Sequence, residues 1–360
     1  MEPETTAARP TVRTFGPPSR QTERMTRRLR RVWFPLARGW RMTPRGIRML
    51  QRITDPTDRV PVMRGTLVEP TTLGGVRGEW VRGPRAREAP DGTPVVLYLH
   101  GGGYVFGSPR THRNIVSRIS HVTGLPAFSA DYRLPPAWKL PAPVEDALAV
   151  YRALLQDHDP SRIVVAGDSA GGNLAHELAL HLAEAGLPLP AALVLLSPWA
   201  DLAVAGASIS SNGRHDSFIP ETALRRCARV AADGVPLDDW HVSPLYAPDE
   251  LQRQLPPTLI QVGAREVLYD DGVRVADVLA RCGVRTELDV FEGTLHVAVA
   301  WLGTPEAREA LHRIAAFVHA ALPADAPMPA VRESAAADAA SNETSEGGVD
   351  GIPGVPGVAP

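Results

Sequence analysis

From Val95 onward the chain repeats one pattern. A short run of consecutive apolar residues is followed by a turn, and then by about 10–17 residues whose apolar positions recur three and four apart. VVLYLH (95–100), LPAFSADY (125–132), RIVVAGDS (162–169), AALVLLSP (191–198), PTLIQVG (257–263) and TELDVFEG (286–293) read as strands. HRNIVSRISHVTG, PAPVEDALAVYRALLQD, AGGNLAHELALHLAEAG, GVRVADVLARCG and PEAREALHRIAAFVHAAL read as the helices between and after them. Strands alternating with helices of this length imply a mostly parallel sheet covered on both faces. Upstream, VMRGTLVEP and VRGEWVRG read as a two-stranded entry to that sheet.

Two segments break the rhythm. Residues 20–61 form a basic helical arm, and an insertion at about 203–248 interrupts the alternation with the helical PETALRRCARVAADG. Sites in open α/β sheets lie at the carboxyl ends of the strands. Both segments are therefore expected to act as a helical cap over a main domain of residues 62–322. Residues 1–19 and 323–360 are expected to be disordered, because they are poor in apolar periodicity and rich in Pro, Ala and Gly.

Composition narrows the class. A net charge of -2 gives no general affinity for nucleic acid. Two distant cysteines, Cys227 and Cys282, make neither a disulfide framework nor a metal site, and point to a reducing, cytoplasmic setting. No stretch approaches the roughly 18 apolar residues of a membrane span. The arm RRLRRVWFPLARGWRM reads as a solvated basic helix, with contact of a peripheral membrane surface as its alternative; oligomeric state is left open, a dimer included.

The chemistry begins at Gly167-Asp168-Ser169-Ala170-Gly171, a G-x-S-x-G pattern between a strand and a helix. That context puts Ser169 on a sharp turn as a candidate nucleophile. An alkoxide attacking a carbonyl creates an oxyanion that needs donors. The run His100-Gly101-Gly102-Gly103 at the end of an earlier strand can supply them, because glycine lets the backbone come close. The expected donors are the N–H groups of Gly102, Gly103 and Ala170. His100, Gly101, Tyr104 and Asp168 are expected to support them.

Serine needs a base. Of eleven histidines, His296 alone follows the last strand, in FEGTLHVAV, at the carboxyl end where Ser169 also emerges. The acid that orients it should follow the strand ending in GAREVLYDDG. Glu266, nearest that strand, is preferred over Asp270 and Asp271, which fit N-capping of the next helix.

Together HGGGYVFGSPRTHR, DYRLPP, GDSAGGNLA, SPWADL and GTLH resemble the hormone-sensitive-lipase-like esterases, the bacterial family IV carboxylesterases, over about residues 66–321. The resemblance implies an α/β-hydrolase fold and a Ser, Asp or Glu, His triad without cofactor or metal. Aligned on the family's D-P-L-x-D-E-G block, Glu266 falls at the acid, where Asp is commoner. Ala137 stands where the family usually has Glu. The expected activity is hydrolysis of small, short- to medium-acyl esters through an acyl-enzyme. An amidase, N-acetyl hydrolase or lactone hydrolase with the same triad is the alternative, and a non-catalytic small-molecule binder is the alternative of another class.

Overall fold

The computed structural model describes residues 8–54 and 62–328. Nine strands form one sheet: β1 (Thr11–Phe15), β2 (Leu67–Leu73), β3 (Val76–Arg82), β4 (Val95–Leu99), β5 (Ala127–Ala130), β6 (Ile163–Asp168), β7 (Ala192–Leu196), β8 (Thr258–Gly263) and β9 (Thr286–Phe291). Their order is β1-β9-β8-β7-β6-β4-β5-β3-β2. Only the β5–β3 and β3–β2 pairs are antiparallel, so the entry hairpin is present and the rest is parallel.

The helices are α1 (Arg20–Gly39), α2 (Pro44–Thr54), α3 (Pro109–Thr123), α4 (Ala142–Asp157), α5 (Ala170–Glu184), α6 (Ser208–Ser211), α7 (Glu221–Ala232), α8 (Asp249–Gln252), α9 (Tyr269–Arg281) and α10 (Pro305–Ala321). Alternate residues of each central strand enter two different cores. Leu97, Val165, Leu195 and Ile260 pack with α4, α5 and α9, whereas Val96, Val164, Val194 and Leu259 pack with α3 and α10. This double burial is why those strands are apolar at nearly every position, and each fully buried Leu or Val contributes roughly 1.5–3 kcal/mol.

One expectation needs correction. Residues 8–19 are not disordered: β1 adds a parallel edge strand to β9. Phe15 stacks on Phe291 at 4.8 Å, and the Arg13 guanidinium meets Glu287. The chain then enters α1 through Ser19, whose backbone N–H and hydroxyl both donate to Glu306 of α10, at 2.5 and 3.0 Å. At the other end, residues 323–328 turn back on themselves and bury Ala326. The remainder of the expected disordered segments, 1–7 and 329–360, and residues 55–61 of the arm lie outside the described residues.

Candidate active site

β6 runs directly into α5 through one residue, Ser169, at φ 53° and ψ −119°. Such a conformation costs a non-glycine residue of order 1–3 kcal/mol. It persists because both sides of the turn are fixed. The Ser169 N–H donates to the Leu196 carbonyl at 2.8 Å, and the Ser169 carbonyl accepts from Trp199 N–H at 3.0 Å. A side chain on Gly171 would strike the Leu99 carbonyl, so the helix can approach the sheet only with glycine there. The Ser169 hydroxyl caps nothing.

The glycine loop after β4 is equally fixed. Gly102 has φ 121°, and a Cβ on it would run into the Phe106 carbonyl. Gly101 N–H donates to Asp168 Oδ1 at 3.0 Å, which is also held by the Tyr98 hydroxyl at 2.7 Å. Tyr104 donates its hydroxyl to Asn173 Oδ1 at 2.6 Å, bolting the loop to α5. Outside the helices and strands, no backbone hydrogen bond is donated by Gly102, Gly103 or Ala170 among the described residues. Ala170 adjoins the strained serine, and the glycine loop is fixed against the same elbow through Asp168.

His100 belongs to the scaffold of this loop. Its Nδ1–H donates to the Gly101 carbonyl at 2.8 Å, and its ring stacks on Tyr132 at 4.3 Å. Burial, reinforced by neighbouring His112, pushes its pKa down to about 3. Tyr132, in the DYRLPP block, donates to the His100 carbonyl at 2.5 Å. His112 faces Asp168 at 3.4 Å; burial alone would lower its pKa, but that carboxylate raises it.

On the far side of β7, His296 donates from Nδ1 to Glu266 Oε2 at 2.6 Å. Glu266 takes a second hydrogen bond from Gly263 N–H at 2.7 Å, which fixes the carboxylate at the end of β8. Burial opposes a charge on His296, but the Glu266 hydrogen bond and charge, with Asp216 and Asp168 adding, raise its pKa. His296 Nε2 is buried with no hydrogen-bond partner among the described residues. The loop after β7 gathers the two halves: Trp199 binds the Ser169 carbonyl, and the Ser197 hydroxyl accepts from Val297 N–H at 3.0 Å. Asp270 stands apart from His296 and instead accepts from Ser208 N–H at 2.8 Å, while Asp271 accepts from Asp201 N–H at 2.9 Å.

Three residues near the histidine carry no signal in the sequence. Phe218 stacks on His296 at 6.1 Å, and Trp301 donates its indole N–H to the His296 carbonyl at 2.7 Å. Asp216, buried, accepts from the N–H groups of Phe218, Ile219 and Val267, at 2.7, 2.9 and 2.9 Å. It thereby ties the 203–248 segment to the residue after Glu266, and burial raises its own pKa. The arm reaches the same place: Trp33 of α1 stacks on Phe218 and donates to its carbonyl at 2.9 Å. Cys227 of α7 faces Gly103, and Gln51 of α2 donates to the Val105 carbonyl at 2.9 Å. Among the described residues, no group of three or more His, Cys, Asp or Glu side chains could hold a metal ion, and no helix is long and apolar enough to cross a membrane.

Comparison with known proteins agrees with this architecture. Residues 96–300 match the family model described as alpha/beta hydrolase fold. The chain is 40% identical to an acetyl-hydrolase of Streptomyces hygroscopicus, over 69% of this chain and 82% of that protein. It is 36% identical to the carboxylesterase/phospholipase LipF of Mycobacterium tuberculosis, over 75% and 74% of the two chains. Among solved structures it is similar to an esterase from the bacterial hormone-sensitive lipase family, with a TM-score of 0.75, 36% identity, and coverage of 86% of this chain and 100% of that one. With the strand order, the elbow serine and the glycine loop, these likenesses place the chain among the hormone-sensitive-lipase-like carboxylesterases of the α/β-hydrolase superfamily.

Proposed function

We propose that the protein is a serine carboxylesterase whose triad is Ser169, His296 and Glu266. The observation that carries this reading is the 2.6 Å pair of His296 and Glu266, which commits Nδ1 as donor and leaves Nε2 as a buried, unpartnered base. Ser169 Oγ attacks the ester carbonyl carbon as His296 Nε2 takes its proton. The carbonyl oxygen becomes an oxyanion held by the N–H groups of Gly102, Gly103 and Ala170. The intermediate collapses as the imidazolium returns the proton to the leaving alkoxide, giving free alcohol and an acyl ester on Ser169. Water, deprotonated by the same histidine, attacks that ester; the acid departs and the proton returns to Ser169. His100, Gly101, Tyr104 and Asp168 hold the glycine loop in position throughout.

In this reading α1, α2 and the 203–248 segment form the cap. Phe218 against His296 and Cys227 against Gly103 bound the reacting space from the cap side, which favours small acyl groups. Removal of an acetyl group from a nitrogen or oxygen is a second reading, favoured by the likeness to the acetyl-hydrolase. The two unpaired cysteines fit a cytoplasmic protein. The test is a fluorophosphonate probe followed by mass mapping of the adduct. A single adduct on Ser169, lost in Ser169→Ala, is expected; labelling elsewhere, or none in a folded protein, overturns the assignment.

A further inference from the structure

The outer face of α1 has no role in that chemistry. Thr22 and Leu29 turn inward, while Arg24, Arg27, Arg28, Arg31 and Val32 line a shallow groove of about 430 Å³ on the opposite side. Residues 20–54 hold eleven arginines and one acid, Glu23, a net of +10 in a chain whose total is -2. The rest of the chain therefore carries -12. A charge split of this size orients the molecule: near an anionic plane the arm is drawn in and the remainder is turned away. Three large apolar side chains are also exposed in this segment, Val32 at 46%, Leu36 at 53% and Met49 at 52%.

We propose that α1, with α2 beside it, docks the protein on an anionic lipid bilayer. Arginines attract the headgroups, while Val32 of the same groove, with exposed Met49 of α2, enters the acyl boundary, as in helices that lie in a membrane interface. Nucleic acid would meet the same charge, but exposed aliphatic side chains give nothing to a phosphodiester backbone, and this decides for the bilayer. Docking would turn the cap toward the lipid, since the inward side of α1 carries Trp33 onto Phe218 and hence to His296. On the reading above, an ester would then reach Ser169 from the interface.

The experiment is sedimentation of the full-length protein with vesicles of phosphatidylglycerol and phosphatidylcholine, or of phosphatidylcholine alone, at ~100 mM salt. Binding to the anionic vesicles only is expected. Neutralising Arg24, Arg27 and Arg31 together with glutamine should weaken it about a hundredfold, at about fivefold per arginine. Hydrolysis of soluble p-nitrophenyl acetate by that variant should stay unchanged. Val32→Asp should release the protein from the same vesicles. If the triple variant fails to fold, Arg27→Gln alone should show the fivefold loss. Absence of binding, equal binding to phosphatidylcholine, an unaffected triple variant, or displacement from the vesicles by single-stranded RNA at equal charge would each overturn the proposal. Ser169→Ala should bind like the parent, so docking and esterase chemistry stand or fall separately.

Discussion

His100 and His296 invite comparison. Each is buried at the carboxyl end of the sheet, each donates from Nδ1, and each has an Nε2 without a partner. They differ in what receives the Nδ1 proton. For His100 it is the neutral carbonyl of Gly101, nothing offsets desolvation enough, and the pKa falls to about 3. For His296 it is the Glu266 carboxylate, and the pKa rises despite equal burial. Burial alone removes a histidine from proton chemistry; a buried carboxylate restores it. In the proposed function one ring is a strut and the other the base, and the acceptor of the Nδ1 proton is the main difference between them.

The sharpest way to break this contrast is to remove the base. His296→Ala should lower kcat on the order of a million-fold, as loss of a triad histidine does elsewhere. Retention of a tenth of the rate would assign the proton transfer to another group. Next in size is Glu266→Gln, expected to cut kcat by roughly 10³–10⁴. The rate requires neutral His296, so it falls as pH drops through that raised pKa. Without the carboxylate the imidazolium is less favoured, and the acid limb of the pH–rate profile should move to lower pH. Asp270→Asn keeps an oxygen for the Ser208 N–H and should leave both rate and profile nearly untouched. A limb that moves in Asp270→Asn and stays in Glu266→Gln would reverse the two assignments.

Gly102→Ala comes third. The new methyl meets the Phe106 carbonyl and displaces the loop, so kcat should fall roughly 10²–10³. If steady-state kinetics showed only a higher KM, the loop would bind substrate without stabilising the oxyanion. A smaller effect on rate than that of Gly102→Ala is expected of His100→Gln, in which the acid limb should not move. Its signature is stability. Folded His100 refuses a proton until about pH 3, whereas the unfolded ring accepts one near 6.5. The stability tied to its neutral form is therefore present above 6.5 and is lost as pH falls from there toward 3. Melting curves across that window should be less steep in pH for the variant; identical slopes would mean His100 is not buried neutral.

The sequence shows the parallel sheet clearly because burial on both faces demands mostly apolar strands, and β4 to β8 carry them, whereas β9, TELDVF, alternates. β1 lacks that mark. TVRTF is short and partly exposed, and its partner strand lies about 275 residues onward, beyond any local pattern. Ser169 and the glycine loop are legible because an elbow and an oxyanion loop restrict residue type through backbone geometry. Glu266 follows from its place after a strand. Asp216 and Phe218 are invisible for the opposite reason: they sit in an irregular segment that only the tertiary fold brings to His296, while Trp301, five residues past that histidine, belongs to no recognisable pattern.

The Arg13–Glu287 and Ser19–Glu306 contacts join residues 274 and 287 positions apart. Protein synthesis proceeds at about 5–20 residues per second, so roughly 15–55 s separate β1 from the strand that completes it. Trp33 of the arm waits a shorter time, since its partner Phe218 lies 185 residues onward. Closure of so long a loop is also intrinsically slow. β1 cannot be seated before β9 exists, nor Ser19 before α10, although both are synthesised ahead of the sheet they join.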